Sequence, residues 1–331
     1  MGASQEVFAE AAEELLATRK GDEMAAALYE ASSFVLEQDE ERCDVLYNLY
    51  FADDGEKISS LLSIHDGVVS QSLTCFWEWV LASASLMPEV GGTPPLELLR
   101  SLQENLNDGN MWEMIEEVCS SRLSLYEVQA VDGRRIQVLD LLAQQAEPVW
   151  VETSGSLLGY APWDIAALRI LALGGKFQTS LGVLLFLREP GLALARRMRR
   201  DVAANASQAN PRPWGLVIDQ PVIRRWIDFV LGRDVESDLV PELNLECLWA
   251  VGGEEQLRRR LLDWTGRAQA PLGGRTPAEV ARLEGERTLV VNMLKSFENQ
   301  HASWMRRKKG KPFSFRFLWE ALGLEPSMPS L

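Results

Sequence analysis

Between Ser120 and Pro190 the chain stops repeating its apolar residues every three to four positions and begins to alternate them. Leu125-Tyr126-Glu127-Val128-Gln129-Ala130-Val131 alternates, Asp132-Gly133 interrupts, and Arg135-Ile136-Gln137-Val138-Leu139 alternates again. A period of two sends successive side chains to opposite faces of a strand, and Asp-Gly supplies the positive φ that a tight hairpin turn requires. The pattern therefore predicts a hairpin. Val149–Thr153, Ile165–Leu173 and Val183–Leu187 add short strands, punctuated by Gly155, Gly159, Pro162 and Gly174-Gly175. Several short strands within roughly 65 residues predict a small barrel or curled sheet.

The flanks read as helix. Val7, Ala11, Leu15 and Leu16, then Met24, Leu28 and Ala31, lie at helical spacing, broken at Gly21-Asp22, and Glu37, Asp39, Glu40 and Glu41 form a solvated acidic end. Asp44–Phe51, the turn Ala52–Gly55 and Lys57–Ile64 predict a helix, a turn and a helix. Val69–Met87, a helix opened by Thr93-Pro94, and Trp112–Val118 complete a front layer. After Pro190 helix resumes. Ala203–Pro213, poor in large apolar residues, reads as a linker, Val222–Leu231 as a helix, Leu243–Val251 as a strand, and Glu254–Trp264 as a helix. Thr276-Pro277-Ala278-Glu279 after Gly273-Gly274 is a capping box with proline at the first helical position. Helices over Arg287–Met305 and Phe315–Leu322 follow. The expected fold class is α+β, mainly α, with helical N- and C-terminal parts flanking a small central β-barrel-like module. The expected domains are a helical unit over 1–119, the β module over 120–190, and a mostly helical unit over 191–331 with a linker near 203–213.

With 331 residues, 47% hydrophobic and 24% charged, the chain has the makeup of an ordinary globular protein of about two domains. A net charge of −15 disfavours nucleic-acid binding by the surface as a whole. Cys43, Cys75, Cys119 and Cys247 form no CxxC pair, so buried thiols are expected rather than a zinc or redox site. The start lacks a basic segment followed by an apolar one, Glu6 stands where a myristoylation signal needs Ser or Thr, and the longest apolar stretch, near Cys75–Ala84, contains Glu78. A cytoplasmic protein that does not cross a membrane is expected.

The helix Asp44–Phe51 ending in Ala-Asp-Asp-Gly, Ser-Leu-Tyr-Glu-Val at 124–128, Val-Leu-Asp-Leu-Leu at 138–142, Trp-Asp-Ile-Ala-Ala-Leu-Arg at 163–169, and the tail from Gly274-Arg-Thr-Pro-Ala-Glu279 to Leu322-Gly-Leu324 span most of the chain. In these pieces the chain resembles a group of uncharacterised bacterial proteins that often carry an SEC-C zinc motif. The resemblance implies a helical front, a small β module and a helical tail. The zinc motif has no counterpart here, so no metal function is carried over, and the resemblance implies no substrate.

No catalytic, cofactor-binding or metal-binding constellation assembles from the residues. His65 and His301 are the only histidines, His65 reads as a helix-end contact, and the cations Arg306–Lys309 beside His301 would lower its proton affinity. Gly252-Gly253 and Gly273-Gly274 lack the following Lys-Ser or Lys-Thr of a phosphate loop. Asp53-Asp54, Glu116-Glu117 and Glu254-Glu255 are pairs that an acidic chain produces by chance. The basic segments Arg196, Arg197, Arg199, Arg200 and Arg306, Arg307, Lys308, Lys309, Lys311, the second followed by Phe313, Phe315 and Phe317, are the candidate anion or nucleic-acid contacts. A solvated segment balancing the acidic front is the other reading of both, and intramolecular contact with the acidic helices is a third reading of the first cluster.

The chain carries 11 tryptophans, and Trp150, Trp163 and Trp214, each beside Pro, Gly or a loop, are the candidate exposed partner-binding anchors. The expected function is a non-enzymatic protein-protein interaction or regulatory protein. The alternatives are a nucleic-acid-associated regulatory factor using 196–200 and 306–311, and an enzyme with carboxylate chemistry.

Overall fold

The structure is a computed structural model, which describes residues 23–37, 46, 50, 66–82, 96–97, 99–100, 109–143, 145–153, 159–230, 245–308, 310–311 and 313–326. Among the described residues the helices α1 (Glu23–Glu37), α2 (Asp66–Ala82) and α3 (Gly109–Ser120) come first. Then come the strands β1 (Ser124–Asp132), β2 (Arg135–Asp140), β3 (Val149–Glu152), β4 (Ile165–Leu168), β5 (Ile170–Leu173), β6 (Lys176–Thr179) and β7 (Leu184–Phe186). The chain ends with α4 (Arg188–Ala206), a π-helical turn (Gly215–Asp219), α5 (Gln220–Val230), α6 (Leu245–Thr265), the short α7 (Pro277–Val280), α8 (Arg287–Arg307) and α9 (Arg316–Leu322). No described helix is long and apolar enough to cross a membrane.

The sheet runs β5-β6-β3-β2-β1-β4-β7, antiparallel except for the β3–β6 pair. Only Arg169 separates β4 from β5, yet β4 lies beside β1 and β7 while β5 is the opposite edge. The sheet must therefore curl back on itself, and it forms a half-barrel. A bulge at Gln129, between the pairs Val128↔Val138 and Ala130↔Gln137, sharpens that curl. The predicted hairpin is present, closed by Asp132 and Gly133 at φ 60°. The β5 edge is sealed by α3, because Glu117 accepts from the Ala172 amide at 3.0 Å and Glu113 from the Gly174 amide at 3.4 Å.

Alternation along the strands feeds two cores. Leu125, Ile165, Ala167, Leu184 and Phe186 face the helices and join a cluster with Phe76, Trp79, Leu192 and Ile223. Tyr126, Val128, Ile136, Val138, Val151, Ala166 and Leu168 face inward and fill the half-barrel. A third core, formed by Leu257, Leu261, Trp264, Val290, Leu294, Phe297, Leu318 and Trp319, belongs to the C-terminal helices and shares no residue with the other two.

Two segments depart from expectation. Residues 245–250 are helical, not extended, because Leu245, Leu248 and Trp249 also satisfy helical spacing and a short apolar run suits either state. Gly253, at φ 62° and ψ −153°, takes the kink where that helix meets the next. The segment read as a linker opens with the last turn of α4, and Asn205 closes the following loop by bonding the Arg212 carbonyl at 3.0 Å and amide at 2.8 Å. The strand β6 was not foreseen. The readings over 1–22, 38–45, 51–65, 83–95 and 231–244, including His65, Cys43, Asp53-Asp54 and the Thr93-Pro94 start, lie outside the described residues.

Candidate functional site

Two charged clusters are buried where elements distant in sequence meet. The first surrounds Arg169, the residue at the β4–β5 bend. It pairs with Asp219 of the π-helical turn, lies 3.8 Å from Glu78 on α2, and donates to the Ser121 carbonyl at 3.0 Å. Glu78 also accepts from the Gly182 amide at 2.8 Å. All three charged side chains are buried. Burial pushes the Glu78 carboxyl above its ordinary range, against the opposing pull of Arg169 and the Gly182 amide. The same burial raises the Cys75 thiol beside it, a change that suppresses thiolate formation and leaves the thiol inert.

The second cluster joins the sheet to α8. Glu127, on β1, accepts from Arg188 at the start of α4, from Gln129, and from Lys295 at 3.3 Å. Arg188 also donates to Asn292 at 3.1 Å, and the Lys295 ammonium sits 4.3 Å from the centre of the Trp163 ring. The Trp163 indole N–H donates to Glu298, which accepts from Trp319 at 2.8 Å through its other oxygen. Below this, Asp164 accepts from Asn299 at 2.7 Å, from Arg306 at 3.1 Å and from the Ala161 amide at 2.7 Å. Desolvation lowers Lys295 to about 8 against the counter-pull of Glu127, and it raises the carboxyls of Glu298 and Asp164. Trp163 has φ 69°, the one positive φ outside glycine among the described residues. Its amide bonds the Val128 carbonyl at 2.6 Å and the Val128 amide bonds the Asp164 carbonyl at 2.9 Å, so the turn is held as an extension of β1.

The expected anchors separate. Trp150 is 42% exposed, with the Arg135 guanidinium 5.3 Å from its ring centre. Trp163 is only 5% exposed, which corrects the reading of it as a surface anchor: Lys295 and Glu298 enclose it, and the polar partners lie too far along the chain to be read locally. Trp214 is half-buried and turned inward, its indole N–H bonding the Leu123 carbonyl at 2.9 Å and Arg122 lying 5.5 Å from its ring.

The basic segments also divide. Arg196, Arg197 and Arg200 are exposed on α4 and Arg199 is half-buried, with Arg197 3.8 Å from Asp201. In the second segment Lys308 and Lys311 are exposed, whereas Arg306 turns in to Asp164 and the Gly159 carbonyl. Lys309 and the Arg307 side chain lie outside the described residues. His301 is buried among Trp304, Phe313 and Phe315, with ring centres 5.7 to 5.8 Å away. Its proton affinity falls to about 4, as expected in direction, but burial rather than the neighbouring cations is the cause.

Of the carboxylate pairs, Glu117 seals the β5 edge and Glu255 pairs with Arg259 at 3.1 Å. Among the described residues no group of histidine, cysteine and carboxylate side chains could hold a metal ion. Chemically, each carboxylate of the two buried clusters is already engaged within the protein, by amides, guanidinium and ammonium groups or, for Glu298, by the indole N–H groups of Trp163 and Trp319. No protein-family model, curated protein or solved structure matches the chain.

Proposed function

We propose that the protein is a non-enzymatic adaptor or regulatory protein of the cytoplasm that binds another protein through the outer face of the curled sheet, centred on Trp150. The observation that carries this reading is the sorting of its tryptophans. Among those whose side chains are described, Trp150 alone is exposed, while the charged groups with shifted proton affinity at the two clusters are buried against internal partners. An exposed indole under an arginine is the kind of group that dominates an interface once water is excluded. Trp150 pairs with Gln137 across β2–β3, and the β3–β6 register sets Lys176 on the same face. Exposed Arg135 lies over the ring and pairs with Asp132 at 2.6 Å, and exposed Lys176 pairs with Glu152 at 3.0 Å. That setting suits a protein segment bringing an apolar side chain onto the indole.

The test is capture of partners by the full chain and by Trp150→Ala, followed by titration of any identified partner with both proteins. Loss of at least tenfold in affinity, about 1.4 kcal/mol, at unchanged thermal stability supports the reading. Equal affinity removes it. The exposed arginines of α4 motivate the nucleic-acid alternative, for which binding that falls steeply between low and moderate salt is the distinguishing outcome. A carboxylate enzyme has the least support, since Glu78, Glu127, Asp164 and Asp219 are each tied to an internal cation.

A further inference from the structure

The C-terminal helices carry their own apolar core, built from α6, α8 and α9 with Leu272 and Val280. Where α8 meets the sheet and α4, polar side chains make the contacts. Asn292, Lys295, Ser296, Glu298, Asn299 and Arg306 reach respectively to Arg188, Glu127, Glu189, Trp163, Asp164 and Asp164. Positions 292, 295, 299 and 306 recur at helical spacing, so this is one stripe of α8, opposite in character to the Val290, Val291, Leu294 and Phe297 stripe that enters the core. The seam is buried, with Glu127, Lys295 and Asn299 at 1% exposure or less. Within it Glu127 lies against Arg188 and Lys295 and Asp164 against Arg306, while Glu298 accepts from two indole N–H groups and Glu189 from the Ser296 hydroxyl.

We propose that the C-terminal helical unit is a latch that leaves the sheet as a folded body when this seam opens, while the apolar cores on either side stay intact. The physical reason is an asymmetry in what water can replace. Opening the seam hydrates charged groups whose burial was nearly offset by their pairing, so the docked and undocked states differ by little. Unfolding any core exposes apolar area that water does not compensate. Opening also uncovers the Trp163 indole, which Lys295 and Glu298 of α8 enclose, a group of the same class as the exposed Trp150. The inference stands independently of the partner-binding reading, because it concerns only how the chain holds itself together.

The experiment is native-state hydrogen exchange on the full chain in increasing, sub-denaturing urea. The Arg188 amide, whose bond to the Asn299 side-chain carbonyl at 3.4 Å crosses the seam, is expected to open in a sub-global step with a shallower urea dependence than α6 at Leu257–Leu261 and the β2–β3 pair. Glu127→Ala, which leaves Arg188 and Lys295 buried without their shared carboxylate, should accelerate that step at least tenfold and leave the α6 amides unchanged. Replacing Glu127, Arg188 and Lys295 together by methionine should slow it, since packed apolar groups can hold such a joint better than charges. If seam and cores open in wild type with one free energy and one urea slope, the latch is wrong. It is equally overturned if the methionine triple variant opens faster than wild type with its cores protected.

Discussion

Lys295 on α8 places its ammonium 4.3 Å from the centre of the Trp163 ring, and the two residues are separated by most of the half-barrel and all of α4, α5 and α6 in sequence. Cation and indole face each other inside the protein, with Glu127 at 3.3 Å completing the charge balance. The pair explains why a tryptophan beside a proline, which reads locally as a surface anchor, is enclosed.

The protonation of Lys295 has a signed consequence. Burial lowers its value to about 8, against 10.5 for the ordinary side chain; Glu127 from β1 and Glu298 from its own helix oppose the shift, and Arg188 from α4 adds to it. Below pH 8 the folded and unfolded chains both hold the proton and this group adds no pH dependence. Between about 8 and 10.5 the unfolded chain holds more protons, so stability rises with pH, by on the order of 3 kcal/mol when complete. Urea unfolding at pH 7.5 and pH 10, compared with Lys295→Met, isolates this contribution from the thiols and phenols that titrate in the same range. An identical pH response in the variant would show that Lys295 is not the group responsible.

His301 acts at the acid end. Its value of about 4, set by burial, lies below the ordinary 6.5, so the stability it contributes is complete above pH 6.5 and is lost as pH falls toward 4. His301→Phe, which suits the surrounding Trp304, Phe313 and Phe315, should flatten the acid limb of a thermal-stability profile between pH 7 and pH 5. The C-terminal core, of which Phe315 is part, is where amide protection should be lost first.

Arg169 is the cation on which both carboxylates of the first cluster, Glu78 and Asp219, depend. Arg169→Met leaves two carboxylates buried, and a cost of about 3–5 kcal/mol is expected. Adding Glu78→Gln should restore part of that loss, because a neutral amide removes one of the uncompensated charges. Chemical unfolding of both variants measures the difference, and no recovery in the double variant would count against the electrostatic account.

Gly191 lets α4 lie directly on β4. A β-carbon there would stand 2.5 Å from the Ile165 Cβ, a position that cannot swing aside. Gly191→Ala should therefore destabilise by about 1–3 kcal/mol despite alanine's better helix propensity. Combined with Ile165→Gly, which removes that Cβ, it should cost less than the sum of the single changes, read from urea midpoints.

The hairpin was legible because its signals are local. Alternation at Leu125–Val131 and Arg135–Leu139 with Asp132-Gly133 between them specifies a hairpin whatever surrounds it, and Thr276 with Glu279 forms the expected reciprocal cap, the Glu279 amide bonding the hydroxyl at 3.1 Å. The α8 stripe was not legible. Asn292, Lys295, Asn299 and Arg306 have the composition of a solvated helix face, and nothing within the helix says that Arg188, Glu127 and Asp164 will cover them. The helical state of 245–250 failed for a related reason: the same apolar residues satisfy both periods over so short a run.

By itself the sequence determined where the chain turns, where helices start, and which side chains seek an apolar interior, because those depend on backbone sterics and on neighbours within a few positions. Only the tertiary structure decided which charges are buried and which tryptophan meets solvent. Burial of an ion requires its counter-ion at hydrogen-bonding distance, and for Glu127 and Lys295 that partner lies on another element, brought there by three separate cores packing at once.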